Sequence, residues 1–220
     1  MQGLGLTIGA GAPLRILCLG AHSDDIEIGC GGSLLELLDQ YQTVDVDWVV
    51  FSAQGKRERE ATTSARSFLK KARRSRVAVK RFRDGFFPYD GAAIKRAFEQ
   101  LKSRPSPDLV FTHFRDDRHQ DHRVVSDLTW NTFRDHMILE YEIPKYDGDL
   151  GAPNTFMPLT RRACTRKLER LHAAFGSQRH KHWFTADTFR GLMRLRGMEC
   201  RAPEGYAEAF YGRKIVLSTL

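Results

Sequence analysis

The sequence predicts an α/β protein built on a doubly wound, mostly parallel sheet, and three observations carry that expectation. Short apolar runs alternate with longer stretches of helical periodicity through the first two thirds of the chain, the pattern of βα units. With 220 residues, 41% hydrophobic and 28% charged, the chain is suited to one globular domain, and a disordered, collagen-like or coiled-coil chain is excluded. The residues best equipped for chemistry follow two of the apolar runs directly, and in an open α/β sheet the carboxyl ends of the strands are where ligands bind.

The elements follow in order. Residues 15–20 (RILCLG) read as a first strand, and Leu34, Leu35, Leu37, Leu38 and Tyr41 recur at helical spacing after a glycine-rich turn. Val44, Val46, Trp48 and Val50 alternate as a second strand, residues 56–73 are helical by propensity, and Val77 and Val79 mark a third strand. Residues 92–102 read as a helix stopped by S-R-P-S-P, and residues 108–112 (DLVFT) as a fourth strand. Beyond these, residues 137–143 read as a strand, 146–158 as a loop rich in Gly, Pro and Asp, 161–175 and 186–196 as helices, and 214–218 as a closing strand. No repeat or linker interrupts the chain, so one domain is expected over residues 1–220, with residues 1–13 as a flexible N-terminal tail.

The longest apolar runs are far shorter than the ~20 residues a membrane helix needs, and the first residues lack the basic start and apolar centre of a signal peptide, so a cytoplasmic protein without membrane insertion is expected. Cys18, Cys30, Cys164 and Cys200 form no C-x-x-C pair and read as reduced, structural thiols. The net charge is +8, from 35 Lys+Arg against 27 Asp+Glu, and residues 56–83 hold 12 basic and 2 acidic residues. Such a segment suits a solvated helix face, an anionic small substrate or a polyanion. No helix-turn-helix, RRM or KH signature accompanies it and only Phe68 and Phe82 interleave it, which speaks against nucleic acid.

The first chemical cluster, Gly20-Ala21-His22-Ser23-Asp24-Asp25-Ile26-Glu27, follows the first strand. An imidazole and two adjacent carboxylates in a cleft are costly unless something positive sits among them. His and Asp are both good zinc ligands, and a catalytic zinc takes three protein ligands and leaves one position open. His22 and Asp25, three apart on a tight turn, suit one ion, which leaves Asp24 free as a general base toward water. The second cluster, Thr112-His113-Phe114-Arg115-Asp116-Asp117-Arg118-His119-Gln120-Asp121-His122-Arg123, follows the fourth strand and reaches the same sheet edge. His122 is the candidate third ligand, His119 lies three residues earlier on a starting helix, and Asp121 is placed to hydrogen-bond an imidazole. The rival reading, a phosphate site at Gly29-Cys30-Gly31-Gly32, lacks G-x-G-x-x-G spacing, and neither Ser33 nor Cys30 has a paired base at motif spacing.

Together the A-H-S-D-D-I-E and D-D-R-H-Q-D-H-R blocks resemble the LmbE-like, or PIG-L, family of zinc-dependent de-N-acetylases, whose motifs read A-H-P-D-D-E and H-P-D-H. The resemblance runs from about residue 15 to 123 and more loosely to the end. It implies a Rossmann-like, three-layer α/β/α fold and hydrolysis of an N-acetyl group from an amino sugar, free, nucleotide-linked or conjugated. Carried over by position, it implies His22, Asp25 and His122 as zinc ligands, Asp24 as general base, and His119 with Asp121 as the pair that stabilises the oxyanion. Ser23 and Gln120 stand where the motifs have proline, and Ile26 separates Asp25 from Glu27. Arg57, past the second strand, is a candidate for holding a sugar hydroxyl or phosphate, with a solvated arginine as the alternative. An amidase acting on another sugar or a thiol conjugate, or a nucleic-acid binder with a structural metal, are the competing readings, and the oligomeric state is left open.

Overall fold

The structure is a computed structural model that describes residues 3, 5–6, 8–9 and 11–216. Strand and helix alternate through β1 (Leu14–Gly20), α1 (Asp25–Gln40), β2 (Val44–Val50), α2 (Gly55–Phe68), β3 (Arg74–Val79), α3 (Gly91–Lys102), β4 (Leu109–His113), α4 (Gln120–Thr132) and β5 (Met137–Tyr141). The remainder is β6 (Thr155–Leu159), α5 (Arg161–Ala174), α6 (Ala186–Glu199) and β7 (Tyr206–Gly212). All seven strands share one sheet in the order β3-β2-β1-β4-β5-β7-β6. The first five are parallel, and β7 pairs antiparallel with both β5 and β6.

Alternation along the strands builds two cores. Ile16 and Cys18 of β1 face the layer of α1, α2, α5 and α6, whose Leu34, Phe68, Leu168 and Met193 complete it. Leu17 and Leu19 face the other layer, with Ile94 and Phe98 of α3 and Val125 of α4. Each side of the sheet is thus covered by helices, which is why β1 and β4 are apolar along nearly their whole length.

Three expectations about the elements change, two of them in the last third. The segment expected as a loop over residues 146–158 contains the start of β6, an edge strand in which Pro158 is tolerated because an outward position needs no ladder N–H. The closing strand is Tyr206–Gly212 and not 214–218: Ala207, Ala209 and Phe210 are buried between two neighbours, whereas residues 214–216 are unpaired coil and 217–218 lie outside the described residues. The helix expected to reach residue 73 ends at Phe68, since Arg74 already pairs with Asp45 as β3. The expected N-terminal tail falls partly outside the described residues; within it Leu6 and Ile8 pack against the core, and Leu6 O accepts from Tyr41 Oη at 3.2 Å. No helix among the described residues is long and apolar enough to cross a membrane.

The glycines of α1 set how closely that helix approaches its neighbours. A Cβ on Gly29 would enter the ring of Tyr141, and one on Gly32 would lie 2.7 Å from Leu159 Cδ1 and 2.9 Å from Glu208 Oε1. Glu208 accepts from the Gly32 and Ser33 amides at 2.8 and 2.6 Å, and its Oε1 also accepts from Lys167 Nζ at 2.6 Å. The glycine run is therefore a packing seam.

Candidate active site

Strand order reverses between β1 and β4, so the loops leaving their carboxyl ends part there and open a cleft. Both sequence clusters line it. The cleft is about 290 Å³ and includes His22, Asp24 and Asp25 from the first cluster and His119 and His122 from the second.

Three ligand atoms converge. His22 Nδ1 lies 3.2 Å from His122 Nε2 and 3.4 Å from Asp25 Oδ2, and Asp25 Oδ2 lies 3.6 Å from His122 Nε2. A tetrahedral zinc with bonds of about 2.0–2.2 Å needs ligand–ligand edges of about 3.3–3.6 Å, so this triangle fits one such ion. Each imidazole is also steered by a carboxylate on its other nitrogen: His22 Nε2 donates to Asp121 Oδ2 at 3.2 Å, with Asp84 Oδ1 at 3.1 Å, and His122 Nδ1 donates to Asp117 Oδ2 at 2.9 Å. That outer acceptor fixes the tautomer that turns the free nitrogen toward a metal. Further metal-capable groups lie in the same cluster, among them Asp25, His113 and His122, with His113 stacked on His122 at 3.9 Å between centroids.

The Asp121 carboxylate takes His22 as its imidazole partner, and not His119 as the resemblance implies. His119 is the N-cap of α4, and an N-cap side chain folds back onto the first free amides; its Nδ1 accepts from the Asp121 N–H at 3.2 Å. The Asp121 carboxylate, fully buried, instead accepts from the Gly85 and Phe87 amides at 2.7 and 3.1 Å and from His22. With Nδ1 used as an acceptor, the neutral His119 ring carries its proton on Nε2. Burial, and then the charge of His22, lower the His119 pKa and favour that neutral form.

The electrostatics follow the same geometry. Burial alone would raise Asp25, yet His122, His113 and His22 around it hold its carboxyl well below the usual range. His122 is pushed down to about 3 by burial and by His113, against the pull of Asp25 and Asp117. His22, despite burial, is raised well above its ordinary value by Asp25, Asp121 and Asp84. Burial and Asp25 raise Asp24 against Arg57, His22 and Lys181, which makes it a stronger base than an ordinary carboxylate. Glu27 is buried with both oxygens unpartnered, and burial pushes its carboxyl well above the usual range.

Arg57 reaches into the cleft from the first turn of α2. Its Nε donates to Ser23 Oγ at 3.1 Å, and its terminal nitrogens reach Asp84 Oδ2 at 3.3 Å and Asp24 Oδ1 at 3.5 Å. The serine that replaces the motif's proline is thus tied down by a side chain. Arg57 is the one residue of the basic segment 56–83 that lines the cleft among the described residues. Elsewhere in the segment Lys71 pairs with Asp39 at 2.7 Å, Arg81 with Glu58 at 3.0 Å, and Arg73 with Asp45.

Sequence reasoning passed over Asp84, His113, Asp117, Lys145, Lys181 and Trp183. His113 and Asp117 stand in the second cluster itself, nine and five residues before His122, where spacing alone gives neither a role. Asp84 sits on a β3–α3 loop whose only signal was D-G, and Lys145, Lys181 and Trp183 come from irregular segments whose position over the cleft no spacing encodes.

Residues 17–133 match the model of the PIG-L family, described as GlcNAc-PI de-N-acetylase. No curated protein matches the chain by sequence. Among solved structures, the chain is similar to GalB, the 4-carboxy-2-hydroxymuconate hydratase of Pseudomonas putida, at TM-score 0.69 and 17% identity over 94% of this chain and 99% of that one. It is similar to the A40926 pseudoaglycone deacetylase Dbv21 at TM-score 0.67 and 19% identity, over 94% of this chain and 100% of that one. N,N'-diacetylchitobiose deacetylase of Pyrococcus horikoshii follows at TM-score 0.60 and 19% identity, over 90% of this chain and 82% of that one. At these identities the likeness carries the fold, and a fold shared by a hydratase and deacetylases leaves activity to be argued from the site. The family model spans more than half of the 220 residues and takes in both charged clusters, and the chain belongs to the PIG-L family.

Proposed function

We propose that the protein is a zinc-dependent hydrolase that removes the N-acetyl group from an amino sugar and releases acetate. The observation that carries this reading is the triangle of His22 Nδ1, Asp25 Oδ2 and His122 Nε2, with 3.2–3.6 Å edges, beside a carboxylate that belongs to none of its corners. Bound zinc would supply Lewis acidity, polarising an acetamide carbonyl and bringing the pKa of a water from 15.7 toward about 7.

The chain's own residues do the rest. Asp24, its pKa raised by burial and by Asp25, takes the proton of the attacking water. His119, with Nδ1 engaged by the Asp121 amide, presents Nε2–H as the donor to the oxyanion that develops on the former carbonyl. The C–N bond then breaks as Asp24 returns the proton to the departing amine. Asp121 acts through His22, holding its ring from behind, and so serves as a positioning residue. Arg57 is set to hold a sugar hydroxyl while it fixes Asp24 and Ser23.

The test is acetate release from a panel of N-acetylated sugars and N-acetylated thiol conjugates, with zinc-loaded protein. Asp24→Asn should keep its zinc and lose about 10²-fold or more in kcat. Full turnover in that variant, or acetate release only from thiol conjugates, overturns the assignment of base or of substrate.

A further inference from the structure

Parallel strands covered by helices on both faces read as continuous apolar runs, but the amino halves of β2 and β3 alternate instead, V-D-V-D before W-V-V and R-S-R before V-A-V. The register lines these polar positions up: Arg15 stands beside Asp45 and Asp45 beside Arg74, and one row on Leu17 stands beside Asp47 and Asp47 beside Arg76. Registered neighbours share a face of the sheet, here the face of Leu17 and Leu19 that α3 and α4 cover elsewhere. Val49 and Phe51 are fully buried on it, whereas Asp45 and Asp47 are half-buried and Arg74 and Arg76 are exposed. The amino corner of the sheet is therefore left without a helix.

The cover stops because α3 ends at Lys102 and the S-R-P-S-P segment follows, in which Pro105 and Pro107 do not continue a helix. A groove of about 180 Å³ results, lined by Arg15, Arg73, Arg74, Arg76 and Arg104 against Asp45 and Asp47. Asp47 accepts from Arg104 Nη1 at 2.9 Å and lies 3.7 Å from Arg76 Nη1, and Asp45 is taken through both oxygens by Arg73. Asp108, at the rim, accepts from the Arg15 amide at 2.8 Å. The Arg15 and Arg74 guanidinium groups make no ion pair among the described residues, and the lining holds three more cations than anions. The length of β1, roughly 20 Å, separates this groove from the loops that hold His22 and His122.

We infer that this groove is a second ligand site, at the opposite end of the sheet from the cleft, and that it binds a diphosphate group, free or as part of a nucleotide. Every cation in the lining is an arginine, whose planar fork pairs two N–H donors with two phosphate oxygens and sheds water more readily than an ammonium. Arg15 and Arg74 leave the sheet two strand spacings apart, about 9–10 Å, on either side of Asp45. Two linked phosphates offer each fork its own set of oxygens, whereas orthophosphate or a carboxylate serves one. Charges placed only to keep the edge strand β3 from pairing with another chain would sit on β3 alone; here Arg15 comes from β1 and Arg104 from the α3–β4 connection.

Binding is followed by titration calorimetry on the full chain at low salt, with zinc omitted so that the probes cannot chelate it. The probes are inorganic pyrophosphate, ADP, orthophosphate and citrate. Pyrophosphate or ADP should bind about tenfold more tightly than orthophosphate and citrate, and the tighter of the two identifies the source of the diphosphate. Arg15→Gln and Arg74→Gln change exposed side chains and should each weaken that binding about tenfold, Arg74→Lys should recover only part of it, and Asp45→Asn should tighten it. Arg57→Gln, in the cleft, should leave it unchanged. Equal affinity for diphosphate and orthophosphate, binding that survives both Arg15→Gln and Arg74→Gln, or binding lost in Arg57→Gln overturns the site. An oligothymidylate that binds more tightly than either diphosphate also overturns it, because the groove would then be part of a polyanion surface.

Discussion

Asp117→Asn tests the outer layer of the site. Both carboxylate oxygens of Asp117 act as acceptors: Oδ1 takes the His119 N–H at 2.7 Å, and Oδ2 takes His122 Nδ1 at 2.9 Å and Lys145 Nζ at 3.0 Å. The side chain is buried, and its carboxyl is held well below the usual range against burial, chiefly by the hydrogen bond to His122. Asparagine has the same shape but only one acceptor oxygen. If that oxygen serves His122 and Lys145, the amide nitrogen confronts the His119 N–H; if it flips, it confronts an imidazole N–H and an ammonium. Either way a buried donor is stranded, at about 1–3 kcal/mol, and His122 loses the negative charge that raises its basicity as a ligand. Loss of such an outer partner weakens metal binding by about 10–100-fold, or about 1.4–2.7 kcal/mol. The assay is competition for zinc against a chromophoric chelator at pH 7, with a thermal melt of the metal-free protein to register the folding cost separately. Zinc affinity within twofold of the parent would refute the claim that Asp117 sets the ligand strength of His122.

Three further outcomes are expected. His22→Ala, Asp25→Ala and His122→Ala should each strip the zinc from a site expected to hold about one ion per chain, and metal analysis that finds full occupancy in all three would break the ligand assignment. Zinc binding at pH 7 should release about one proton, read from the buffer dependence of the calorimetric heat. In the metal-free protein His122, at about 3, is already neutral and Asp25 already ionised, whereas His22 is raised and protonated. The sign is that of a raised histidine: its protonation stabilises the metal-free fold below the unfolded value near 6.5, that contribution fades as pH rises through the folded value, and zinc affinity climbs over the same range. Gly32→Ala should lower Tm by roughly 2–12 °C, since the new Cβ meets Leu159 and Glu208, and overpacking costs about 1–3 kcal/mol; an unchanged melt would mean that α1 can shift away.

The parallel half of the sheet was legible because each strand and helix announces itself by period, and the two polar clusters were legible because the proposed ligands and base lie within a few residues of a strand end. The antiparallel edge was harder to read. Residues 206–212 (YAEAFYG) carry Glu208 at a buried position, where it meets Lys167 and two amides of α1, so the usual alternation of apolar and polar residues breaks. The exposed run at 214–216 looked more like a strand than the real one did. Within the site, spacing identified which residues gather but not which nitrogen faces which oxygen. The family resemblance pairs Asp121 with His119, yet capping geometry gives His119 the amide of Asp121 and leaves the carboxylate for His22. The Lys145, Lys181 and Trp183 wall depends on where long irregular segments come to rest, which is a property of tertiary packing alone.

The bond between Gly32 and Glu208 also bears on the order in which the molecule can assemble. Its two ends are 176 positions apart, and the helix it secures is the one that begins at Asp25. Ribosomes add about 5–20 residues per second, so roughly 9–35 s separate the synthesis of the two ends. Through that interval α1 has no β7 behind its glycine seam, and Lys167, whose ammonium meets Ile28 O, follows that residue by 139 positions. The helix that begins at Asp25 therefore gains this part of its backing only after residue 208 has been made.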